Sequence, residues 1–296
     1  MHFIDKYPEN TNKMTKLAII TINHNHREML KKMVESLYVS ENNVPPALAE
    51  QGSVFVVNNT PDPTVKDWLA SNYPAVRVIE NTHSQGFAHN INRVIRDHPD
   101  FDYYLLINPD VICLPGMIEG LMGVMDNDQK IGVAGPELMN NDGSIQPSRR
   151  RFASFRVLIY RALHMDKVFK HLPAVDRYLM THDAFDQVSE VDWITGAVML
   201  LRKDALDQVG LLDERFFLYF EDEDLCCRMW QKGWKVCYVR TAQAYHAHIA
   251  EGRKKIFSKA NYHHLLSAFK MLIKYRGRIR NCSQQTERPS SRWRTE

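Results

Sequence analysis

Short apolar runs alternate with helical patterns through the first third of the chain. LAIITI (17–22) is a continuous apolar run of strand length, and Met29, Leu30, Met33, Val34 and Leu37 then recur at helical spacing. VFVV (54–57) is a second buried-strand candidate and leads into NNTPDP, a dense turn signal. VRVI (76–79) is a third, after which QGFAHNINRVI reads as a loop opening a helix. YYLLI (103–107) is a fourth, stopped by Asn108, Pro109 and Asp110. Strands alternating with helices in this way predict an α/β fold with a mostly parallel sheet flanked by helices. In such sheets ligands bind beyond the carboxyl ends of the strands. Asn23, Asn58, Asn108 and Asp110 all fall at such ends.

The second half is patterned differently. GVAGPEL precedes a turn, NNDGS, and the basic stretch SRRRF (148–152). Residues 153–182 read as an amphipathic helical region interrupted at Pro173. VDWITGAVMLL (191–201) is strand-like, RKDALDQVG (202–210) is a helix closed by Gly210, and EDEDLCCRMWQKG is a helix ending at Gly233. WKVCYV (234–239) is a further strand, with His246 beyond its end. From Lys255 a helix carries an apolar stripe at Leu265, Phe269, Leu272 and Ile273, and the chain past about Arg280 is expected to be disordered.

At 296 residues, 44% hydrophobic and 25% charged, the chain has the composition of a soluble globular protein. The net charge is only +3, so its distribution says more than its sum. Lys254, Lys255, Lys259, Lys270, Lys274, Arg276, Arg278 and Arg280 crowd the end of the chain. Such a basic end suits an anionic surface such as phospholipid, or is simply a solvated tail. The five cysteines form no C-x-x-C pair and no even framework, which reads as packing thiols in a reducing compartment. The polar start lacks an apolar signal core, and no apolar run reaches the length of a membrane span. The expectation is a cytoplasmic protein able to rest on a membrane.

The stretch FFLYFEDED (216–224) sets five apolar or aromatic residues against four consecutive carboxylates. On one reading it is a helix start, with Asp222 as N-cap and Glu223 and Asp224 in the first turn. On another, a carboxylate at the edge of an apolar wall has its pKa raised into the range of a general base. Asn108-Pro109-Asp110 is likewise either a turn or a carboxylate positioned to hold a divalent cation against phosphate oxygens. His246 joins it as a ligand only if the two converge. Neither G-x-G-x-x-G after the first strand, nor a P-loop, nor a G-x-S-x-G elbow is present, which disfavours dinucleotide dehydrogenases, P-loop NTPases and the common hydrolase layout.

These stretches, taken in order, resemble the inverting family 2 glycosyltransferases of the GT-A fold, in particular the rhamnosyltransferase-like branch of bacterial O-antigen and surface polysaccharide biosynthesis. The resemblance runs from about Leu17 to Arg276 through IITINHN, VVNNTPD, ENTHSQGFAHNINRVI, YYLLINPDV, GPELMNNDGSIQPSRRRF, VDWITGAVMLLRKDALDQVGLLDERFFLYFEDEDLCCRMWQKGWKVCYV and YHAH. It implies that Asp110 closes the metal-binding motif, with His246 completing a site for Mg²⁺ or Mn²⁺, and that Asp222 is the catalytic base. Asn58 stands where the family commonly has an Asp contacting the nucleobase, and an amide can pair with the edge of uracil or thymine. Gly86 and Asn90 match the loop lining the donor, with Thr21, Asn23 and Asn108 beside them. Trp193, Thr195, Gly196 and Glu221 fall on the acceptor side.

The implied domain plan is a polar tail (1–15), a nucleotide-sugar-binding half (16–125), an acceptor-binding and catalytic half (126–250), a basic amphipathic helical extension (251–280) and a tail (281–296). The implied reaction moves L-rhamnose from dTDP-rhamnose to a polyprenyl-diphosphate-linked sugar at the inner face of the bacterial cytoplasmic membrane, with no nucleic-acid partner. UDP-galactofuranose or another UDP-hexose is the alternative donor. A non-catalytic nucleotide- or glycan-binding protein and a nucleotidyltransferase are the alternative classes; the second should carry glycines after its first strand, where NHNHREM has none.

Overall fold

All four apolar runs of the first third become strands of one sheet that extends through most of the chain. The computed structural model describes residues 15–38, 53–153, 157, 172–181, 183–247, 259–276 and 282. β1 (Leu17–Asn23), β2 (Val54–Asn58) and β4 (Tyr103–Ile107) are buried at every position, whereas β3 (Arg77–Glu80) lies at the sheet edge and is partly open. Between them run α1 (Arg27–Tyr38), α2 (Pro63–Asn72) and α3 (Phe87–Asp97). α1 buries Leu30, Met33, Val34 and Leu37, the face its spacing predicts. α2 starts at the last residue of the NNTPDP turn signal: Asp62 caps it by accepting from the Thr64 N–H at 3.0 Å, and Pro63 starts its first turn.

Next come β5 (Val111–Cys113), α4 (Met117–Asn127), β6 (Ile131–Met139), β7 (Arg149–Arg150), α5 (Pro173–Leu179), β8 (Val188–Glu190), β9 (Trp193–Ile194), β10 (Val198–Arg202), α6 (Lys203–Val209), α7 (Glu221–Gln231), β11 (Lys235–His246) and α8 (Lys259–Tyr275). The main sheet has the order β3-β2-β1-β4-β10-β6-β11-β5, with β8 against β11, and β7 and β9 form a separate ribbon. β10 runs antiparallel to both β4 and β6, and β6 and β11 are parallel. Hence β1, β2, β4, β6 and β11 all end on one rim, and β10 begins there. Strand alternation splits the core in two: Ile20, Phe55, Tyr104 and Leu201 pack on one face, and Ile19, Val56, Leu105 and Leu200 on the other.

Several boundaries differ from expectation. The predicted strand 191–201 breaks at 195–197, because β9 leaves to pair with β7 before β10 joins the sheet. β11 continues past Val239, through a register shift, to end at His246 itself. Pro173 begins α5 rather than interrupting a helix; most of 153–171 lies outside the described residues. The 1–15 and 281–296 tails likewise fall outside, apart from Thr15 and Cys282. Cys113, Cys226 and Cys237 are buried packing thiols, but Cys227 pairs with Cys282 in a disulfide, which corrects the reading of the cysteines as unpaired. Among the described residues no helix is long and apolar enough to cross a membrane.

Candidate active site

Val111, the first residue of β5, pairs with His246, the last of β11, and this ladder sets Asp110 beside the imidazole. Asp110 Oδ1 lies 3.4 Å from His246 Nε2. The other ring nitrogen, Nδ1, is 2.8 Å from Gln146 Oε1. Gln146 cannot reverse its amide without loss, because its Nε2 donates to Asn140 Oδ1 and to the His246 carbonyl, both at 2.7 Å. Nδ1 therefore carries the proton, and the Nε2 lone pair faces a carboxylate oxygen. Two acceptors hold that separation comfortably only with positive charge between them, a proton or a metal ion. A histidine oriented by a second hydrogen bond and next to one carboxylate is a donor pair that fits a divalent cation. Among the described residues no third His, Cys, Asp or Glu joins the pair.

The acidic stretch reaches the same rim through a backbone contortion. Tyr219 (φ 68°) and Phe220 (φ 72°) are both left-handed, a conformation that costs a non-glycine residue roughly 1–2 kcal/mol. Phe220 occupies the cap, so α7 begins at Glu221 and Asp222 is not its N-cap. Of the preceding aromatic run, Phe216 and Phe220 are buried, while Phe217 is 40% exposed.

Each carboxylate then has its own surroundings. Glu223 accepts from the Ala153 N–H at 3.2 Å. Asp224, fully buried, is bound by Arg228 at 2.9 Å, by the Tyr275 hydroxyl at 2.8 Å and by Lys274. Asp222 accepts from the Gly196 N–H at 2.8 Å through Oδ2 and from the Glu223 N–H at 2.9 Å through Oδ1. Burial raises its pKa; those two N–H groups and the Arg150 charge oppose the rise without cancelling it. Glu221 is only 5% exposed and its Oε2 has no hydrogen-bond partner. Burial first, then the neighbouring Asp222 charge, pushes its pKa well up. Burial thus raises both adjacent carboxyls, Glu221 the more strongly.

The break at 195–197 joins the two clusters. The Asn108 N–H donates to the Ala197 carbonyl at 2.9 Å, next to the Gly196 N–H that binds Asp222. The Thr195 N–H donates to the Ser148 carbonyl at 2.9 Å, two residues from Gln146. Trp193 is buried, its indole N–H given to the Arg151 carbonyl at 3.0 Å and its ring covered by the Arg150 guanidinium at 5.0 Å.

On the other side of the rim, Asn23 and Asn58 end neighbouring strands in register, and Asn23 Nδ2 donates to Asn58 Oδ1 at 2.8 Å. The Asn58 amide also donates to the Asp62 carbonyl at 3.1 Å. Both ends of Asn58 are therefore engaged within the fold, and the residue shapes the rim from below. Thr21, 1% exposed with an unpartnered hydroxyl, lies deeper in β1. Asn90 is also fully buried: it donates to Asn59 Oδ1 at 3.0 Å and accepts from Asn81 Nδ2 at 2.7 Å. Asn59 Oδ1 accepts the Gln85 N–H at 2.8 Å as well, so this amide cluster fixes the loop before Gly86. Gly86 is needed for close approach, since a Cβ there would stand 3.0 Å from the Phe217 carbonyl oxygen. That loop thereby abuts the aromatic run ahead of Asp222.

Comparison with known proteins bears on family and fold. The profile of the family described as Glycosyltransferase like family 2 matches residues 15–263. The chain belongs to that family. It is 29% identical over 243 residues to an N-acetylglucosaminyl-diphospho-decaprenol L-rhamnosyltransferase of Mycobacterium tuberculosis, covering 78% of this chain and 75% of that protein. It is 25% identical over 277 residues to rhamnosyltransferase WbbL of Escherichia coli K12, covering 87% and 93%. Among solved structures, GalNAc-T7 with UDP, GalNAc and Mn²⁺ superposes with a TM-score of 0.59 at 14% identity, covering 81% of this chain and 44% of that one. A Pyrobaculum calidifontis mannosyltransferase with GDP-mannose and Mn²⁺ gives 0.52 at 13% identity, covering 91% and 73%. The fold of this family 2 glycosyltransferase is GT-A.

Sequence reasoning alone missed Arg150, Gln146, Asn59 and Asn81. Arg150 was visible only as part of a basic stretch. Its partner Trp193 lies 43 positions away in sequence, and the β7–β9 ribbon that unites them is two residues long on each side.

Proposed function

We propose that this glycosyltransferase is metal-dependent and inverting. On this reading it transfers L-rhamnose from dTDP-L-rhamnose to a saccharide on a polyprenyl diphosphate, during O-antigen or related surface-glycan assembly at the inner face of the cytoplasmic membrane. The observation that carries the chemistry is the separation of roles along one rim: Asp222 on the 195–197 side, and Asp110 with His246 on the β5–β11 side. The sugar and acceptor assignments draw support from the printed activities of the mycobacterial and E. coli relatives.

In this mechanism Asp222 takes the proton of the acceptor hydroxyl as its oxygen attacks the anomeric carbon. The Gly196 and Glu223 N–H groups fix both carboxylate oxygens, so the base is oriented before substrate arrives. Glu221, whose carboxyl burial pushes well above the usual carboxylate range, lies next to that base in the chain. Asp110 and His246 would hold a divalent cation, which when bound neutralises charge on the departing nucleoside diphosphate. No enzyme nucleophile takes part, so a single displacement inverts the anomeric centre. Residues 16–125 then serve the donor and 126–250 the acceptor.

The test is a thermal-shift panel of nucleoside diphosphates and nucleotide sugars with Mn²⁺, Mg²⁺ or chelator. A ligand at about 100 times its dissociation constant stabilises the fold by roughly 2.7 kcal/mol. Asp110→Ala should abolish the metal-dependent part of the shift, and His246→Ala should weaken it. Binding of the diphosphate that is unaffected by chelator overturns the metal assignment. A shift with UDP-sugars but none with dTDP-rhamnose overturns the donor.

A further inference from the structure

The C-terminal helix α8 presents two unlike faces. Its inner face is fastened to the segment that carries the candidate base. The Ser267 hydroxyl donates to the Leu218 carbonyl at 2.9 Å, and Lys270 Nζ to the Arg215 carbonyl at 2.5 Å. Lys274 binds Asp213 at 2.8 Å and also Asp224, and the Tyr275 hydroxyl donates to Asp224 at 2.8 Å. His263 stacks on Phe217 at 4.5 Å, and His264 meets the rings of Tyr219 and Phe220. The outer face is apolar and open: Tyr262, Leu265, Phe269 and Ile273 are 64%, 53%, 61% and 62% exposed. Their spacing puts all four on one stripe of the helix. Leu272, grouped with that stripe in the sequence pattern, is only partly exposed.

We propose that this stripe is a docking face for an anionic lipid bilayer, and that α8 thereby seats the Asp222 end of the cleft at the bilayer surface. The proposal deepens the reading above, in which the acceptor is lipid-linked, and gives that acceptor's diphosphate a short path to the base. Charge favours a bilayer over a second copy of this chain. The charged residues of 259–276 are Lys259, Lys270, Lys274 and Arg276, all cations, so two copies packed stripe to stripe would bring like charges together, whereas anionic headgroups complement them. Lys270 and Lys274 have inward partners, so the apolar side chains, rather than those two cations, dominate the docking.

The experiment sediments the full chain with phosphatidylglycerol/phosphatidylcholine vesicles and with pure phosphatidylcholine vesicles, at low and high salt. The wild type should bind the anionic vesicles, less so in high salt. Leu265→Ser with Phe269→Ser should weaken that binding on the order of a hundredfold, since each side chain contributes more than about a factor of ten. The melting temperature should not move, because both residues are already more than half exposed. Turnover with a water-soluble short-chain acceptor should also be unchanged. Vesicle binding equal in variant and wild type overturns the proposal. So does a drop of several degrees in melting temperature, which would mean that the chain covers its own stripe. A wild-type dimer that the variant dissolves, with no vesicle binding, assigns the face to a second copy instead. The vesicle assay contains no sugar, so an enzyme that binds vesicles yet ignores lipid-linked acceptors would refute the functional reading and leave the docking face standing.

Discussion

Replacing Asp222 by Asn separates its possible roles, and the hydrogen bonds set the scale. Both carboxylate oxygens accept backbone N–H groups, from Gly196 at 2.8 Å and from Glu223 at 2.9 Å. An Asn can accept only one of them and turns an N–H towards the other. A hydrogen bond to a charged group is worth about 1.5–3 kcal/mol, and relief of the partly buried charge offsets some of that loss. The melting temperature should therefore fall by a few degrees. For a domain of ordinary stability that cost leaves nearly every molecule folded at 25 °C. A purely structural Asp222 would thus leave turnover almost untouched. As a general base it is irreplaceable, because an amide cannot take the proton, and turnover should drop about 10²–10⁴-fold, equivalent to roughly 3–5 kcal/mol of barrier. The assay is kcat per folded molecule with donor and acceptor saturating, beside a melting curve and donor affinity. Turnover within about threefold of wild type in a folded Asn variant refutes the base assignment. Asp222→Ala loses both bonds and should be less stable than the Asn variant while equally inactive.

Glu221 provides a pH test: its folded pKa is raised, so the native state holds a proton that the unfolded chain has lost, and its contribution makes stability fall as pH rises above the unfolded value near 4.3. Glu221→Gln should flatten that part of the Tm–pH curve and raise Tm at neutral pH; an unchanged curve would show that the buried carboxyl is already ionised and compensated. The opposite sign holds for Glu214: burial works to raise its pKa, but hydrogen bonds from Asn92, His89 and Arg96 prevail and bring it to about 2, so its contribution is present above the unfolded pKa and is lost as pH falls towards that value. Arg150→Met removes the cation beside Asp222, so the acid limb of the kcat/KM profile should move to higher pH, while Arg150→Lys should restore most of its position; a limb that stays put in the Met variant removes Arg150 from the site. Gly86→Ala forces a Cβ to within 3.0 Å of the Phe217 carbonyl oxygen, and such overpacking costs about 1–3 kcal/mol, so both Tm and nucleoside-diphosphate affinity should fall. An Ala variant with wild-type values of both would show that the loop and the aromatic run can separate freely.

The sequence by itself determined the elements whose physics is local. Continuous apolar runs specified β1, β2 and β4 to within a residue, because a strand covered on both faces needs no polar positions. The asparagines and Asp110 marked the carboxyl rim of the sheet for the same reason: apolar pattern stops where the strands stop. Gly210 and Gly233, both with positive φ, ended their helices as predicted. What the tertiary structure decided is everything that depends on distant backbone. Asp222 looked like a cap because capping is read from neighbours, yet the left-handed Phe220 takes that place and Gly196 supplies the N–H that Asp222 binds. Asn58 pairs with Asn23, and Asn90 with Asn59 and Asn81, contacts between distant positions that local pattern does not show. Lys274 looked like a surface cation until Asp213 and Asp224 enclosed it. Asp110 and His246 meet only because β11 runs on past Val239 to lie against β5, a pairing that no local pattern encodes.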